Sequence, residues 1–178
     1  MSPSLRVIES LERVDPAQWN ALAAGNPTLA HAFLDSLHRT GCAHARRGWA
    51  PQYLTLWEER TLAAAAPLYV KSHSYGEYVF DWAWADAHER HGLAYYPKLL
   101  CAVPFTPAAG PRLLARDAAS RSRLARALLD TARDSPVSSL HVLFPLEDDA
   151  AALRELGLLE RTGVQFHWRN PGYASFDE

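Results

Sequence analysis

One long amphipathic helix between two short apolar segments limits the fold more than any other feature of this sequence. Residues 117–134 start at a capping aspartate, Asp117, and an apolar segment lies on each side of them, at 97–105 and at 138–145. The apolar face of this helix consists of Leu124, Leu128, Leu129 and Ala132. A strand, a helix and a second strand in this order predict a βαβ unit, because neighbouring parallel strands need such a crossover connection.

The rest of the chain adds strands and helices of ordinary length to this unit. Pro16 and Pro27 each follow a capping residue and mark two helix starts. In the last predicted strand, Phe166 and Trp168 share a face with Val164 and are expected in the core. The predicted elements are strand 5–10, helices from 15 and from 26, strands 52–57 and 61–71, helix 85–92, strand 97–105, helix 117–134, strand 138–145, helix 146–157 and strand 161–170. The order β-α-α-β-β-(α)-β-α-β-α-β predicts an α/β (α+β) domain with a mixed sheet and helices on both faces.

Composition excludes several classes of function. With 178 residues, 48% hydrophobic and 21% charged, the chain is expected to fold as one globular domain over 1–178. The formal net charge of −2 gives no overall attraction to nucleic acid, and no apolar run reaches the roughly 18–20 residues of a membrane span. Two cysteines cannot make a disulfide framework and the N-terminus lacks a signal-peptide pattern, so we expect a cytoplasmic protein.

The stretch HSYGEYVFDWAW at 73–84 fits neither a plain surface loop nor a plain core strand. It combines Ser74, Glu77 and Asp81 with five aromatic residues, which is more ring area than a loop needs and more acid than a core strand tolerates. Histidines and acids continue to His91, yet their spacing matches no metal motif, and we predict no metal site. The sequence also lacks a nucleophile elbow and the glycine-rich nucleotide loops.

A second unusual stretch, YYPKLLCAVPFTPAAGPRLL at 95–114, places four prolines and two tyrosines around an apolar strand. It predicts either a rigid strand with proline-rich ends or a ligand groove at the carboxyl end of that strand. Arg112 and five further arginines up to Arg133 give the following helix and its approach a basic side. That side is either a solvated helix face or a phosphate-binding ridge.

These two stretches carry a family resemblance. The block at 71–114, together with FHWRNPGYASFDE at 166–178, is similar to the signature of FemAB-like proteins, a bacterial group within the GNAT acyltransferase superfamily that is labelled peptidoglycan biosynthesis/recognition. The element order likewise resembles the GNAT fold. Likeness of fold alone does not define a function.

The resemblance implies an N-acyl or aminoacyl transferase domain that acts on an amine acceptor related to peptidoglycan precursors. The alternative is a non-catalytic module that binds a peptide or a cell-wall precursor. In the first case Glu77 and Asp81 would be catalytic, with one carboxylate taking the proton of the acceptor ammonium. In the second, the two acids would be buried structural groups bonded to backbone amides or arginines.

The remaining site residues implied by the resemblance divide into two groups. The expected acceptor-binding residues are His73, Ser74, Tyr78, Trp82, Trp84, Tyr95, Tyr96 and Lys98. The expected donor-binding residues are Val103, Phe105, Thr106 and Arg112. Strand amides near Val103 and Phe105 would polarise the acyl carbonyl.

The chain departs from the family pattern in two places. GNAT enzymes typically hold the pyrophosphate of acetyl-CoA in a Q/R-x-x-G-x-G/A loop, but TPAAGPRLLARD at 106–117 has one glycine, and its prolines lack amide donors. The donor is therefore open between acyl-CoA and aminoacyl-tRNA. FemAB-like proteins resemble two GNAT domains in tandem, so we expect the first half of a pair. Residues 171–178 would be a linker or tail that packs on a second domain or a second copy in a homodimer.

Overall fold

The computed structural model describes residues 3–79, 81–164 and 166–177. The helices within these residues are α1 (Pro16–Ala23), α2 (His31–Arg39), α3 (Trp82–Arg90), α4 (Ala118–Arg133) and α5 (Glu147–Arg154). The strands are β1 (Ser4–Ile8), β2 (Trp49–Pro51), β3 (Tyr53–Glu58), β4 (Thr61–Ala66), β5 (Leu68–Lys71), β6 (Lys98–Cys101), β7 (Leu114–Ala115) and β8 (Leu140–Val142).

These strands form two four-stranded sheets, in the orders β1-β3-β4-β7 and β2-β5-β6-β8. β6 and β8 are parallel, with Leu99 opposite Leu140, and α4 lies in the connection between them, so the predicted βαβ unit is confirmed. The predicted strand 61–71 is two strands, β4 and β5, which lie in different sheets on either side of Pro67. Proline has no N–H to continue a strand ladder, and the structure therefore has two sheets where we expected one.

The core lies on both faces of the sheets, which explains why the strands have nearly continuous apolar sequences. Along β3, Tyr53 belongs to one hydrophobic cluster and Leu54 to another. The first cluster includes Trp19 of α1 and Leu34 of α2, and the second includes Leu124 of α4 together with residues of α5. The mixed α/β class is confirmed.

Other predicted strands also differ from the structure, and the segment 138–145 is a strand only over Leu140–Val142. The segment 97–105 is a strand over Lys98–Cys101, and 102–105 lie outside it. The last predicted strand, 161–170, is wrong for its described residues 161–164 and 166–170, none of which is in a strand. Phe166 and Trp168 are 97% and 75% exposed and are not in the core. Alternation alone cannot hold a strand without a neighbouring strand to pair with.

The segment between β6 and α4 is held by carboxylates. Asp149 of α5 is buried and accepts hydrogen bonds from the backbone N–H groups of Arg112 (2.6 Å) and Leu113 (3.1 Å). Asp117 accepts a hydrogen bond from the Ser120 N–H (2.7 Å) at the start of α4. These carboxylates use amide donors that a bound phosphate would otherwise use.

We expect Asp149→Ala to lower the free energy of unfolding by at least about 2 kcal/mol, because two buried N–H groups lose their acceptor. Urea denaturation followed by circular dichroism measures the change. Asp148→Ala is the matched control, since the neighbouring Asp148 is exposed and contacts Arg121, as Asp149 also does. Equal losses for the two variants would contradict the role assigned to Asp149.

Candidate functional site

One ammonium group organises the stretch 73–84. Lys98 of β6 is fully buried, and its Nζ donates hydrogen bonds to Ser74 Oγ (2.8 Å), Glu77 Oε2 (2.9 Å) and Asp81 Oδ2 (2.6 Å). A lysine ammonium has three N–H donors, so each donor finds an acceptor in a different part of the stretch. The stretch is thereby fixed to the sheet at three points.

Two tyrosines that precede β6 extend this cluster. The Tyr95 hydroxyl donates to Asp81 Oδ2 at 2.7 Å, and the Tyr96 hydroxyl lies 2.7 Å from Ser74 Oγ. Six of the residues expected from sequence are therefore in one place: Ser74, Glu77, Asp81, Tyr95, Tyr96 and Lys98.

A second buried lysine lies beside the first. Lys71 of β5 is directly opposite Lys98 on β6 and opposite Trp49 on β2. Its Nζ lies 3.6 Å from the centre of the Trp49 ring, 3.3 Å from the Tyr75 carbonyl oxygen and 3.9 Å from Glu77 Oε1. Like charges opposite each other in a sheet repel, so two acids in the stretch are needed to balance the two lysines.

Burial and pairing act differently on the pKa of each group. Burial raises the pKa of Glu77, against the opposing effect of its lysine partners. Burial also acts to raise the pKa of Asp81, but hydrogen bonds from Lys98 and Tyr95 outweigh it, and the pKa is lowered to about 2. Burial lowers the pKa of Lys71 to about 7. Glu77 Oε1 and Asp81 Oδ1 are buried with no hydrogen-bond partner in the described part of the chain, and Glu77 Oε1 faces the Lys71 ammonium at 3.9 Å.

The stretch has two chemically different sides. Its buried polar positions are Ser74, Glu77 and Asp81. The residue after each of them is an exposed aromatic: Tyr75, Tyr78 and Trp82. We use the term aromatic surface for these three rings and Trp84, which are exposed to 65%, 52%, 44% and 55%, respectively. Phe80 lies outside the described residues. Buried acids thus hold the stretch from below while aromatic rings face solvent.

A glycine lets the stretch close onto the loop after β6. Gly76 has a φ of +81°, and a Cβ there would lie 2.6 Å from the Phe105 ring. The Phe105 N–H donates to the Gly76 carbonyl at 3.2 Å, and the Phe105 ring packs on Trp49. This amide, which we expected to polarise an acyl carbonyl, is therefore already bonded. Tyr78 has a φ of 61°, a conformation that is unfavourable for a residue with a Cβ.

The other residues expected from sequence lie outside the buried cluster. The His73 ring packs edge to face against Tyr75, and Val103 is buried after β6. Thr106 Oγ1 donates to the Pro104 carbonyl at 2.9 Å. The Arg112 guanidinium donates to the carbonyl groups of Ala108, Pro111 and Leu143, with which a phosphate would have to compete. Among the described residues, no three His, Cys, Asp or Glu side chains are grouped as metal ligands.

Sequence reasoning missed Lys71 and Trp49. Lys71 ends an apolar strand, where a lysine is usually at the surface, and β2, which carries Trp49, was not predicted at all. A signal was nevertheless present, because Lys71 and Lys98 are the only lysines of the chain.

We expect Lys98→Met to lower the free energy of unfolding by about 3–5 kcal/mol, because two buried carboxylates lose their shared partner. Arg116→Met is the control, since Arg116 pairs with Glu58 at the surface, where an ion pair contributes about 0–1 kcal/mol. Urea denaturation of both variants measures the difference. A loss below about 1 kcal/mol for Lys98→Met would show that the acids do not depend on it.

Comparison with known proteins places the chain in a family. A family model for FemAB-like proteins, described as peptidoglycan biosynthesis/recognition, matches residues 10–178. No curated protein and no solved structure matches the chain. No helix in the described residues is both long enough and apolar enough to cross a membrane. Because the match covers nearly the whole chain, including the stretch 73–84 and β6, the chain belongs to the FemAB-like family.

Proposed function

We propose that this chain is the acceptor-binding domain of an N-acyl or aminoacyl transferase that modifies an amine of a peptidoglycan precursor. The observation that carries the proposal is the two-sided stretch 73–84, with ion-paired acids below and the aromatic surface above. Exposed rings with polar edges supply contact area for a ligand. The family description, peptidoglycan biosynthesis/recognition, supports this class of substrate.

Of the two acids, Glu77 is the better proton acceptor. Burial raises its pKa, which brings the carboxylate closer to the pH at which an enzyme works. Its Oε1 makes no hydrogen bond within the described residues, whereas its Oε2 is bonded to Lys98. Asp81 has a pKa lowered to about 2 and is bonded to Lys98 and Tyr95, so its role is to orient the acceptor.

The donor has no pyrophosphate cradle in the segment 106–117. The amides of Arg112 and Leu113 are bonded to Asp149, and Asp117 caps α4. This arrangement favours an aminoacyl-tRNA, or an acyl-CoA held by a second domain, over acetyl-CoA bound by this chain alone.

We expect isothermal calorimetry to find no acetyl-CoA binding tighter than a Kd of about 10 μM, which corresponds to about 7 kcal/mol. The physical reason is that carboxylates occupy the anion-binding amides of the segment 106–117. Asp149→Asn removes the negative charge of one of these carboxylates, and the same titration is repeated with it as the matched variant. A Kd below 10 μM for the unmodified chain would contradict the assignment of the donor.

Acyl transfer itself is tested with a peptide that carries a free side-chain amine, offered together with acetyl-CoA or charged tRNA. We expect the mass of the peptide to increase by that of the acyl group with at least one donor. Glu77→Gln should lower the rate by about 10²–10⁴-fold because the proton acceptor is lost. Circular dichroism confirms that this variant is folded. If the wild-type chain transfers no acyl group from either donor, the proposed activity is wrong.

We expect Trp84→Ala to weaken binding of the same peptide about tenfold, or about 1.4 kcal/mol, because the aromatic surface loses a ring. Trp84 is 55% exposed, so the fold should not depend on it. Trp168→Ala removes another exposed tryptophan, outside the aromatic surface, and should leave binding unchanged. Fluorescence or calorimetric titration measures both variants, and equal affinities would exclude the aromatic surface as the acceptor site.

A non-catalytic binding module is the second candidate, and one observation favours it. Glu77 and Asp81 are buried and bonded to Lys98, which is the arrangement expected if their role is to hold the stretch 73–84 in place. In that case the peptide binds and Trp84→Ala weakens the binding, but no mass increase occurs with any donor.

A further inference from the structure

The sheet β2-β5-β6-β8 has an open edge at β8, its last strand. The Leu143 N–H donates to the Cys101 carbonyl at 3.0 Å, as the parallel pairing with β6 requires. Because backbone groups alternate in direction along a strand, those of Leu140 and Val142 point away from β6. In the described part of the chain, these outward groups have no hydrogen-bond partner. They can therefore pair with one more strand.

The core is also incompletely covered at this edge. All four side chains of β6 are buried, whereas all three of β8 are half-buried. Leu140 and Val142 pack on one hydrophobic cluster and Leu143 on the other, so both clusters reach the edge. β8 contains neither a proline nor a charged Lys, Arg, Asp or Glu, which are residues that commonly protect an edge strand from pairing. An apolar extended segment is the partner that fits such an edge.

The C-terminal segment, by which we mean the described residues 159–164 and 166–177, has apolar side chains that the domain does not bury. Leu159, Val164, Phe166 and Trp168 are each at least 75% exposed. Val164, Phe166 and Trp168 alternate in sequence, so their side chains share one face when the backbone is extended. Exposed apolar residues are ordinary when they are scattered singly, but a row of them marks an interaction surface.

The C-terminal segment starts beside β8. Leu158, just before it, packs on the same hydrophobic cluster as Leu140 and Val142. Burial and the charge of Lys98 lower the pKa of His141 to about 4, and the charge of Arg161 acts in the same direction. Arg161 is therefore close enough to β8 for its charge to reach His141. When the β8 edges of two copies face each other, each C-terminal segment needs only a short crossing to reach the other edge.

We propose that the β8 edge binds the C-terminal segment of a second copy of this chain, and that two copies exchange these segments to form a dimer. The segment of Val164, Phe166 and Trp168 adds a strand to the sheet through the outward backbone groups of Leu140 and Val142. A single copy does not close the edge by itself, because Phe166 and Trp168 are exposed there. This inference goes beyond the proposed function and does not depend on it.

The area that the exchange buries is large enough for a stable dimer. Phe166 and Trp168 of two copies supply four rings, which together bury about 600–1,000 Å² at about 150–250 Å² each. Val164 and the two covered β8 edges add to this area. The sum reaches the roughly 1,200–2,000 Å² of specific, stable interfaces.

Sedimentation velocity over a range of concentrations tests the dimer. We expect the wild-type chain to form a dimer that dissociates on dilution. Phe166→Asp combined with Trp168→Asp should raise the Kd of the dimer at least about 100-fold, because aromatic anchors contribute most of the binding free energy and a carboxylate does not fit an apolar interface. Circular dichroism confirms that the variant is folded.

The matched control is Leu5→Asp combined with Val7→Asp. These two side chains are also exposed, and they lie on β1, an edge strand of the other sheet. This variant should dimerise like the wild type. A dimer that dissociates in the β1 variant but not in the variant of Phe166 and Trp168 would place the interface at β1 and overturn the proposal.

Amide hydrogen exchange followed by NMR tests which edge is covered. We expect the N–H groups of Leu140 and Val142 to exchange at least about tenfold more slowly in the wild-type dimer than in the variant of Phe166 and Trp168. The Leu143 N–H, which is bonded to Cys101, is the internal control and should exchange equally in both. A wild-type chain that stays monomeric overturns the proposal. If that monomer also protects Leu140 and Val142, each copy covers the edge with its own C-terminal segment.

Discussion

The ammonium of Lys98 is the contact on which the candidate site depends. Its three N–H groups bond to Ser74, Glu77 and Asp81, which are spread over eight positions of an irregular stretch. No regular secondary structure fixes the described residues 72–79 and 81, so their backbone position follows from these side-chain bonds. Because an exposed aromatic residue follows each of the three acceptors, the same ammonium also fixes where the aromatic surface lies.

Stability alone does not explain such a cluster. Removing two lysines and two acids from water costs several kcal/mol per ion, and apolar side chains of similar size would often serve the fold as well. The neighbouring residues of β6, Leu99 and Leu100, are buried apolar side chains. The choice of lysine over arginine is a second indication, because arginine would make more hydrogen bonds but could not release a proton. A buried cluster of this kind is weak evidence for a contribution to stability alone.

The sequence predicted the parts of the fold that local pattern determines. The structure confirms the helix caps at Asp15 and Asp117, the β3–β4 hairpin and the parallel pair of β6 and β8. These features were predictable because capping residues and apolar periodicity are local signals. The final strand was wrong because alternation at 161–170 says nothing about whether a partner strand is present.

The sequence predicted six residues of the candidate site but missed Lys71 and Trp49, and it did not predict how these residues contact one another. Tyr95, Tyr96 and Lys98 were grouped with the acids through the family resemblance, and the hydrogen bonds between them could not be derived from spacing. The structural alternative placed the acids beside backbone amides or arginines, whereas their partners include lysines. Strand register brings Lys71 and Lys98 together across 27 positions of sequence. Register is a property of the whole sheet, and a single sequence does not show it.

The cluster also governs the helix that follows it. α3 has no buried residue, and at nine residues it is shorter than an isolated helix needs to be stable in water. Its first turn begins at Asp81, whose carbonyl accepts hydrogen bonds from the N–H groups of Trp84 and Ala85 while its side chain is held by Lys98. The start of α3, and with it the rings of Trp82 and Trp84, thus depends on the same carboxylate that balances the lysines.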